Sequence, residues 1–207
     1  EMNIGVDGAL DFIKKNVEYS ALFEAAYPGE GVSDKTLAKA IASFERTVLS
    51  NNTPFDQWVK GDDKAISEQA ANGFKLFMDP NKGNCAVCHS GSNFTDDGFH
   101  NIGLASYGDE NPDLGRYVIK PIRILKGAFK TPTIREIGQT APYFHDGSAK
   151  TLEEVVEHYA KGGVVKTSLS PNMKTLSLNK QEKADIVAFL QTLTSVEKPF
   201  ELPVLPK

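Results

Sequence analysis

The sequence predicts an all-α fold in which amphipathic helices are joined by long loops. Two observations carry this. Four segments set apolar residues at helical spacing behind a capping residue. The stretch from Gly83 to Gly147 is rich in Gly, Pro, Asn and Asp and has no sustained period.

The first helix runs from Ser33 to Leu49. Ser33 is its N-cap, and Leu37, Ala40, Ile41, Phe44 and Val48 form one stripe. The second runs from Ser67 to Met78 and aligns Ala70, Phe74, Phe77 and Met78. The third, Thr151 to Ala160, opens on Thr-Leu-Glu-Glu. Thr151 can accept from the amide three residues on, and Glu154 can reach back to the Thr151 amide, which is a capping box. Its stripe is Leu152, Val155, Val156 and Tyr159, and Gly162-Gly163 ends it. The fourth, Asn179 to Leu193, repeats this pattern with Asn179, Glu182 and a stripe of Ile186, Val187, Phe189, Leu190 and Leu193. Between the second and third, at most one short strand is expected, near Tyr117 to Leu125. The tail from Lys198 to Lys207 is proline-rich and reads as extended.

A loop region this long normally argues against a compact fold. A large prosthetic group removes the difficulty, because it supplies apolar surface that loops can wrap. Composition leaves room for one. The chain has 207 residues, 40% of them apolar and 24% charged. A net charge of −4 without blocks of like sign points to neither nucleic acid nor a membrane surface. No apolar run approaches the roughly 20 residues that span a bilayer. The N-terminus, Glu1-Met2-Asn3-Ile4, lacks the basic-then-apolar pattern of a signal peptide and does not start on Met. Removal of an upstream segment is the reading.

The chemistry gathers at Cys85-Ala86-Val87-Cys88-His89. These are the two cysteines of the chain, and C-x-x-C-H reads as c-type haem attachment. Two thiols one turn apart can add to the two vinyl groups on one porphyrin edge, and the next residue then sits under the iron. Gly83-Asn84 ends the preceding helix and lets the chain turn into the motif. A zinc site would need further ligands, and His100, His145 and His158 have no partner cysteines. A redox dithiol expects a βαβ setting, which this helical chain lacks. The fold class is therefore a cytochrome c-like helical fold wrapped around a covalently bound haem. Covalent attachment of this kind takes place outside the bacterial cytoplasm, so a periplasmic location is expected.

The second axial ligand decides what the haem does. Met78, Met173, Tyr159, His145, His158 and His100 are the choices. Met78 lies too close before the motif to arch over the ring. Met173, in Ser-Pro-Asn-Met, is like the loop methionine of small electron-carrier cytochromes. Tyr159 lies on the inner stripe of its helix, where a core tyrosine hydrogen-bonded at its hydroxyl is the simpler reading. His158 falls beside the stripe and reads as a surface residue.

Several stretches together carry a resemblance. They are Pro54-Phe55-Asp56, Lys60-Gly61-Asp62-Asp63-Lys64-Ala65, Gly73-Phe74-Lys75-Leu76-Phe77, Asn93-Phe94-Thr95-Asp96, Phe99-His100-Asn101-Ile102-Gly103 and Gly115-Arg116-Tyr117. The longest are Phe129-Lys130-Thr131-Pro132-Thr133-Ile134-Arg135 and Thr140-Ala141-Pro142-Tyr143-Phe144-His145-Asp146-Gly147, and Val187-Ala188-Phe189-Leu190 closes the series. With the haem motif, these resemble the C-terminal half of the bacterial dihaem cytochrome c peroxidases, on their MauG-like branch, over nearly the whole chain.

The resemblance implies one haem c here and a second, peroxide-binding haem in an N-terminal domain or subunit. It implies a peroxidase-type oxidoreductase that works as a two-haem unit. Its partners would be hydrogen peroxide and a small redox protein or a protein substrate, with homodimerisation open. Residues 1–66 would link to the missing domain, residues 67–197 would form the haem domain, and 198–207 the tail. Typical family peroxidases have a methionine ligand where this chain has Tyr159, and the MauG-like branch has tyrosine, so the resemblance favours Tyr159 over Met173. A phenolate would stabilise oxidised iron, where methionine would favour the reduced state. The resemblance further implies that Glu1 reaches into the peroxide pocket as an acid–base group, that Arg116 pairs with a haem propionate, and that carbonyls of Thr140 and Pro142 bind calcium between the domains.

Overall fold

The computed structural model describes residues 5–195 and 204–206. Glu1 lies outside them, as do residues 198–203 and 207 of the expected tail. The described residues fall into two compact units, one within residues 1–49 and 198–207, the other within residues 50–197.

The smaller unit holds α1 (Val6–Lys15), α2 (Val17–Ala26) and α3 (Asp34–Glu45). A single residue separates the first two. The Asn16 amide donates to the Ile13 carbonyl and ends α1, while its side chain accepts from the Tyr19 amide and caps α2. Ser33 and Thr36 form a capping box at α3. The predicted stripe of α3 is less covered than its period suggests, with Ile41, Phe44 and Val48 exposed. A helical period selects a face and says nothing about what packs on it.

The larger unit holds α4 (Pro54–Val59), α5 (Glu68–Met78), α6 (Leu152–Ala160) and α7 (Lys180–Gln191). The caps at Ser67, Thr151 and Asn179 form as the sequence predicts. The core centres on Phe189, which is fully buried among the rings of Phe55, Phe74, Phe77 and Phe94 at centroid distances of 5.1 to 6.3 Å. The close packing of α5 on α7 requires Gly73, where an added Cβ would lie 1.9 Å from the Asp185 carbonyl oxygen. Asp56 joins this core to the loops through a two-pronged ion pair with Arg135, both contacts at 3.0 Å.

One expectation is corrected. No strand forms at Tyr117–Leu125. Short 3-10 turns occupy Arg116–Val118 and Arg123–Leu125 instead, because Pro121 cannot donate to a ladder. The strands are β1 (Phe99–His100) and β2 (Phe129–Lys130), antiparallel, with Phe99 opposite Lys130 and His100 opposite Phe129. The helix before the haem motif ends at Met78, as its stripe predicts, and so stops short of Gly83-Asn84. Asp79 takes an extended conformation ahead of Pro80, which stops α5 at Met78.

Candidate haem site

A cavity of about 710 Å³ opens between α5, α6, α7 and the long loops. That is within the roughly 300–1,000 Å³ common for cofactor pockets. Cys85, Cys88 and His89 all line it. Asn84 takes a left-handed conformation at φ 51°, and the chain then makes one 3-10 turn over Cys85–Val87. The His89 amide donates to the Cys85 carbonyl at 2.9 Å, which brings both sulfurs and the imidazole to one wall.

His89 is oriented for metal binding. Its Nδ1–H donates to the Phe94 carbonyl at 2.9 Å, which leaves the Nε2 lone pair free. Burial lowers the imidazole pKa and keeps the ring neutral, as a ligand must be. Burial also pushes the Cys85 thiol up to about 12, with the neighbouring Cys88 adding to the rise.

Tyr159 stands on the last turn of α6 and lines the same cavity. Among the described residues its hydroxyl has no hydrogen-bond partner, yet no buried side-chain polar atom is left unsatisfied. The hydroxyl oxygen therefore opens onto the cavity. Burial, then the fields of Cys85 and Cys88, push the phenol well above its usual range. The α6 C-terminus is fixed behind it. Gly162 and Gly163 adopt positive φ, and the Lys166 ammonium donates to the carbonyls of Lys161, Gly162 and Gly163, each at 2.8 Å.

Met173 also lines the cavity, from the loop ahead of α7. Met78 is half exposed on α5 and does not line it. Thr140 and Pro142 lie on the cavity rim. The Arg116 guanidinium lies 4.6 Å from the Phe99 ring centroid. His145 stacks on Phe129 at 3.4 Å and 11°. His158 is corrected from a surface residue to a half-buried one, because the 101–103 loop covers it and the Ile102 carbonyl lies 2.9 Å from its Nε2.

Sequence reasoning missed a polar chain on the cavity wall. His100 Nε2 donates to Asp96 at 2.8 Å, and its Nδ1 lies 3.0 Å from the Ser170 hydroxyl. Ser170 anchors the turn that carries Asn172 and Met173, and the Asn172 amide donates to the Cys88 sulfur at 3.7 Å. Only His100, inside Phe-His-Asn, gave a hint of it.

Residues 70–194 match the family described as cytochrome c. The chain belongs to the cytochrome c family. It is a haem c-binding chain. Residues 1–64 match the family described as di-haem cytochrome c peroxidase, which is the family the motifs resemble. Among curated relatives, the methylamine utilization protein MauG of Methylophilus methylotrophus is 40% identical over all of this chain and 61% of its own length. The cytochrome c551 peroxidase of Nitrosomonas europaea is 34% identical over 91% of this chain and 53% of its own length. The chain thus spans between half and three fifths of these relatives. A solved MauG-like protein associated with microbial copper homeostasis superposes with a TM-score of 0.80 at 30% identity, covering 90% of this chain and 61% of that one. The diheme peroxidase BthA from Burkholderia thailandensis shares the fold, with a TM-score of 0.75 at 20% identity over 94% of this chain and 60% of its own. Among the described residues, no helix is long and apolar enough to cross a membrane.

Proposed function

We propose that this chain is the C-terminal haem domain of a periplasmic dihaem peroxidase of the MauG-like type. Cys85 and Cys88 would hold one haem c, and His89 and Tyr159 would supply the ligands to its iron. The observation that carries this reading is the placement of an unpartnered Tyr159 hydroxyl on the cavity that Cys85, Cys88 and His89 also line.

The haem supplies reversible one-electron chemistry. The chain supplies orientation and ligand electronics. The Phe94 carbonyl holds His89 in the tautomer whose Nε2 is free, and makes that nitrogen a stronger donor. Bound to the iron, Tyr159 would do so as the phenolate, since a bound cation favours the anionic form of its ligand. The phenolate then favours the oxidised state of the centre. The haem held here would supply oxidising equivalents to, or draw them from, a second haem in an N-terminal domain or subunit that reacts with hydrogen peroxide. The helical segment of residues 1–66 makes the connection to that domain. Glu1 serves there as an acid–base group for cleavage of the O–O bond. Carbonyls of Thr140 and Pro142 contribute to a calcium site completed by the second domain. A small redox protein or a protein side chain is the electron source.

Peroxide consumption tests the reading, measured on the haem-loaded chain alone and joined to a second haem domain. Turnover only in the two-haem form is the expected result. Equal turnover by the chain alone, or none in either form, overturns it.

A further inference from the structure

Between Gly115 and Ala128 the chain makes a closed lobe. The Arg116 amide donates to the Ala128 carbonyl at 2.8 Å, and the Gly127 amide to the Leu114 carbonyl at 3.0 Å. Gly115 makes this closure possible. Its φ is 54°, and a Cβ there would lie 2.4 Å from the Ala128 oxygen. The two 3-10 turns of the lobe satisfy much of its backbone internally, so its tip is held in shape. That tip is apolar and bare. Val118 is 69% exposed, Ile119 74%, Ile122 47% and Ile124 64%.

Lys120, Arg123 and Lys126 are exposed within the same stretch, and no acidic residue occurs between Leu114 and Lys130. In a chain of net charge −4, this is a concentration of positive charge around an apolar centre. The base of the lobe reaches the site, since Gly127 and Phe129 line the haem cavity.

We propose that this lobe is the docking surface for a small acidic redox protein that exchanges electrons with the haem. The proposal rests on the reading of the chain as a haem domain. An apolar centre with a charged rim is the anatomy of protein interfaces. The rim charges select an acidic partner and steer its approach. A second copy of this chain fits poorly, because a two-fold contact would set the same cations against one another. In each encounter one electron crosses. The metal that gives it is oxidised by one unit and the metal that takes it is reduced by one, with no proton moved and no bond made.

Stopped-flow oxidation of the pre-reduced, haem-loaded chain tests this. Oxidised plastocyanin is the acidic probe, oxidised mitochondrial cytochrome c the basic one, and benzoquinone the uncharged control. The expected result is faster reaction with the acidic probe, with a rate that falls as salt rises. K120E/R123E should slow that reaction about tenfold and flatten its salt dependence. I119S/I122S should slow it with the salt slope kept. Neither variant should change the reaction with benzoquinone or the absorption spectrum. An unchanged rate and slope in the variants, a faster basic probe, or a dimer that I119S/I122S dissociates would overturn the docking proposal. If benzoquinone also fails to oxidise the haem, the haem-domain reading fails and takes this proposal with it.

Discussion

The Nδ1 atom of His89 lies 2.9 Å from the carbonyl oxygen of Phe94. That hydrogen bond fixes the direction of the imidazole and leaves its Nε2 free. Phe94 holds its carbonyl there from a left-handed conformation at φ 51°, with its ring buried in the core. The core therefore sets the direction of the imidazole. In H89G, the haem should stay attached through both sulfurs but lose its coordination on that side. Added imidazole should restore the original ferric spectrum. A spectrum that ignores imidazole would show that His89 is not the ligand.

The Asp56–Arg135 pair should be worth several kcal/mol to the fold. Both side chains are 14% exposed, so removing one partner leaves a largely buried charge. R135M should cost about 3 kcal/mol in urea unfolding. D56N/R135M should cost less than the sum of the two single changes. The pair also sets an acid limit. Burial alone would raise the Asp56 carboxyl, but hydrogen bonds from Arg135 and Thr53 outweigh it and hold the pKa below its usual value. A depressed folded pKa stabilises the protein above the unfolded carboxylate value near 4, and that stability is lost as pH falls through the folded value. Wild type should lose stability relative to D56N as pH falls below about 4.

Gly73 leaves no room for a methyl group. G73A would press its Cβ on the Asp185 carbonyl and force α5 off α7. A loss of about 1–3 kcal/mol is expected. Since α5 leads into the haem motif, haem incorporation per chain should fall with it. A melting curve unchanged within error would contradict the close contact.

The Asp96–His100–Ser170 chain should hold the turn that bears Asn172 and Met173. H100F removes both hydrogen bonds of the imidazole and leaves Asp96 and Ser170 without that partner. Amide exchange at Asn172 and Met173 should quicken about tenfold, as the loss of about 1–2 kcal/mol of local restraint implies. Exchange in α7 should not change. Equal protection in variant and wild type would sink the idea.

The parts of the fold that were legible in the sequence are those where a cap and a stripe agree. Ser67, Thr151 and Asn179 each stand ahead of an apolar face, and α5, α6 and α7 follow. The haem motif was legible because its spacing is chemistry, independent of what packs around it. The six residues of α4 are too few to show a period, and α1 begins at Gly5 without a side-chain cap. The two-residue strands cannot show alternation. Contacts between residues distant in sequence were not legible either. Nothing local in Asn172 announces that it reaches Cys88, and Ser170 gains its role from His100, 70 positions away. Tyr159 lies between these cases. Its stripe turns it inward, but only the cavity shows that its hydroxyl meets open space.

The ferric spectrum of the haem-loaded Y159F chain tests the central claim most directly. If Tyr159 binds the iron, removing its oxygen should turn a six-coordinate centre into a five-coordinate, high-spin one, seen by absorption and electron paramagnetic resonance. The haem should remain covalently attached at Cys85 and Cys88, and the reduction potential should rise. An unchanged six-coordinate spectrum at an unchanged potential would contradict the claim.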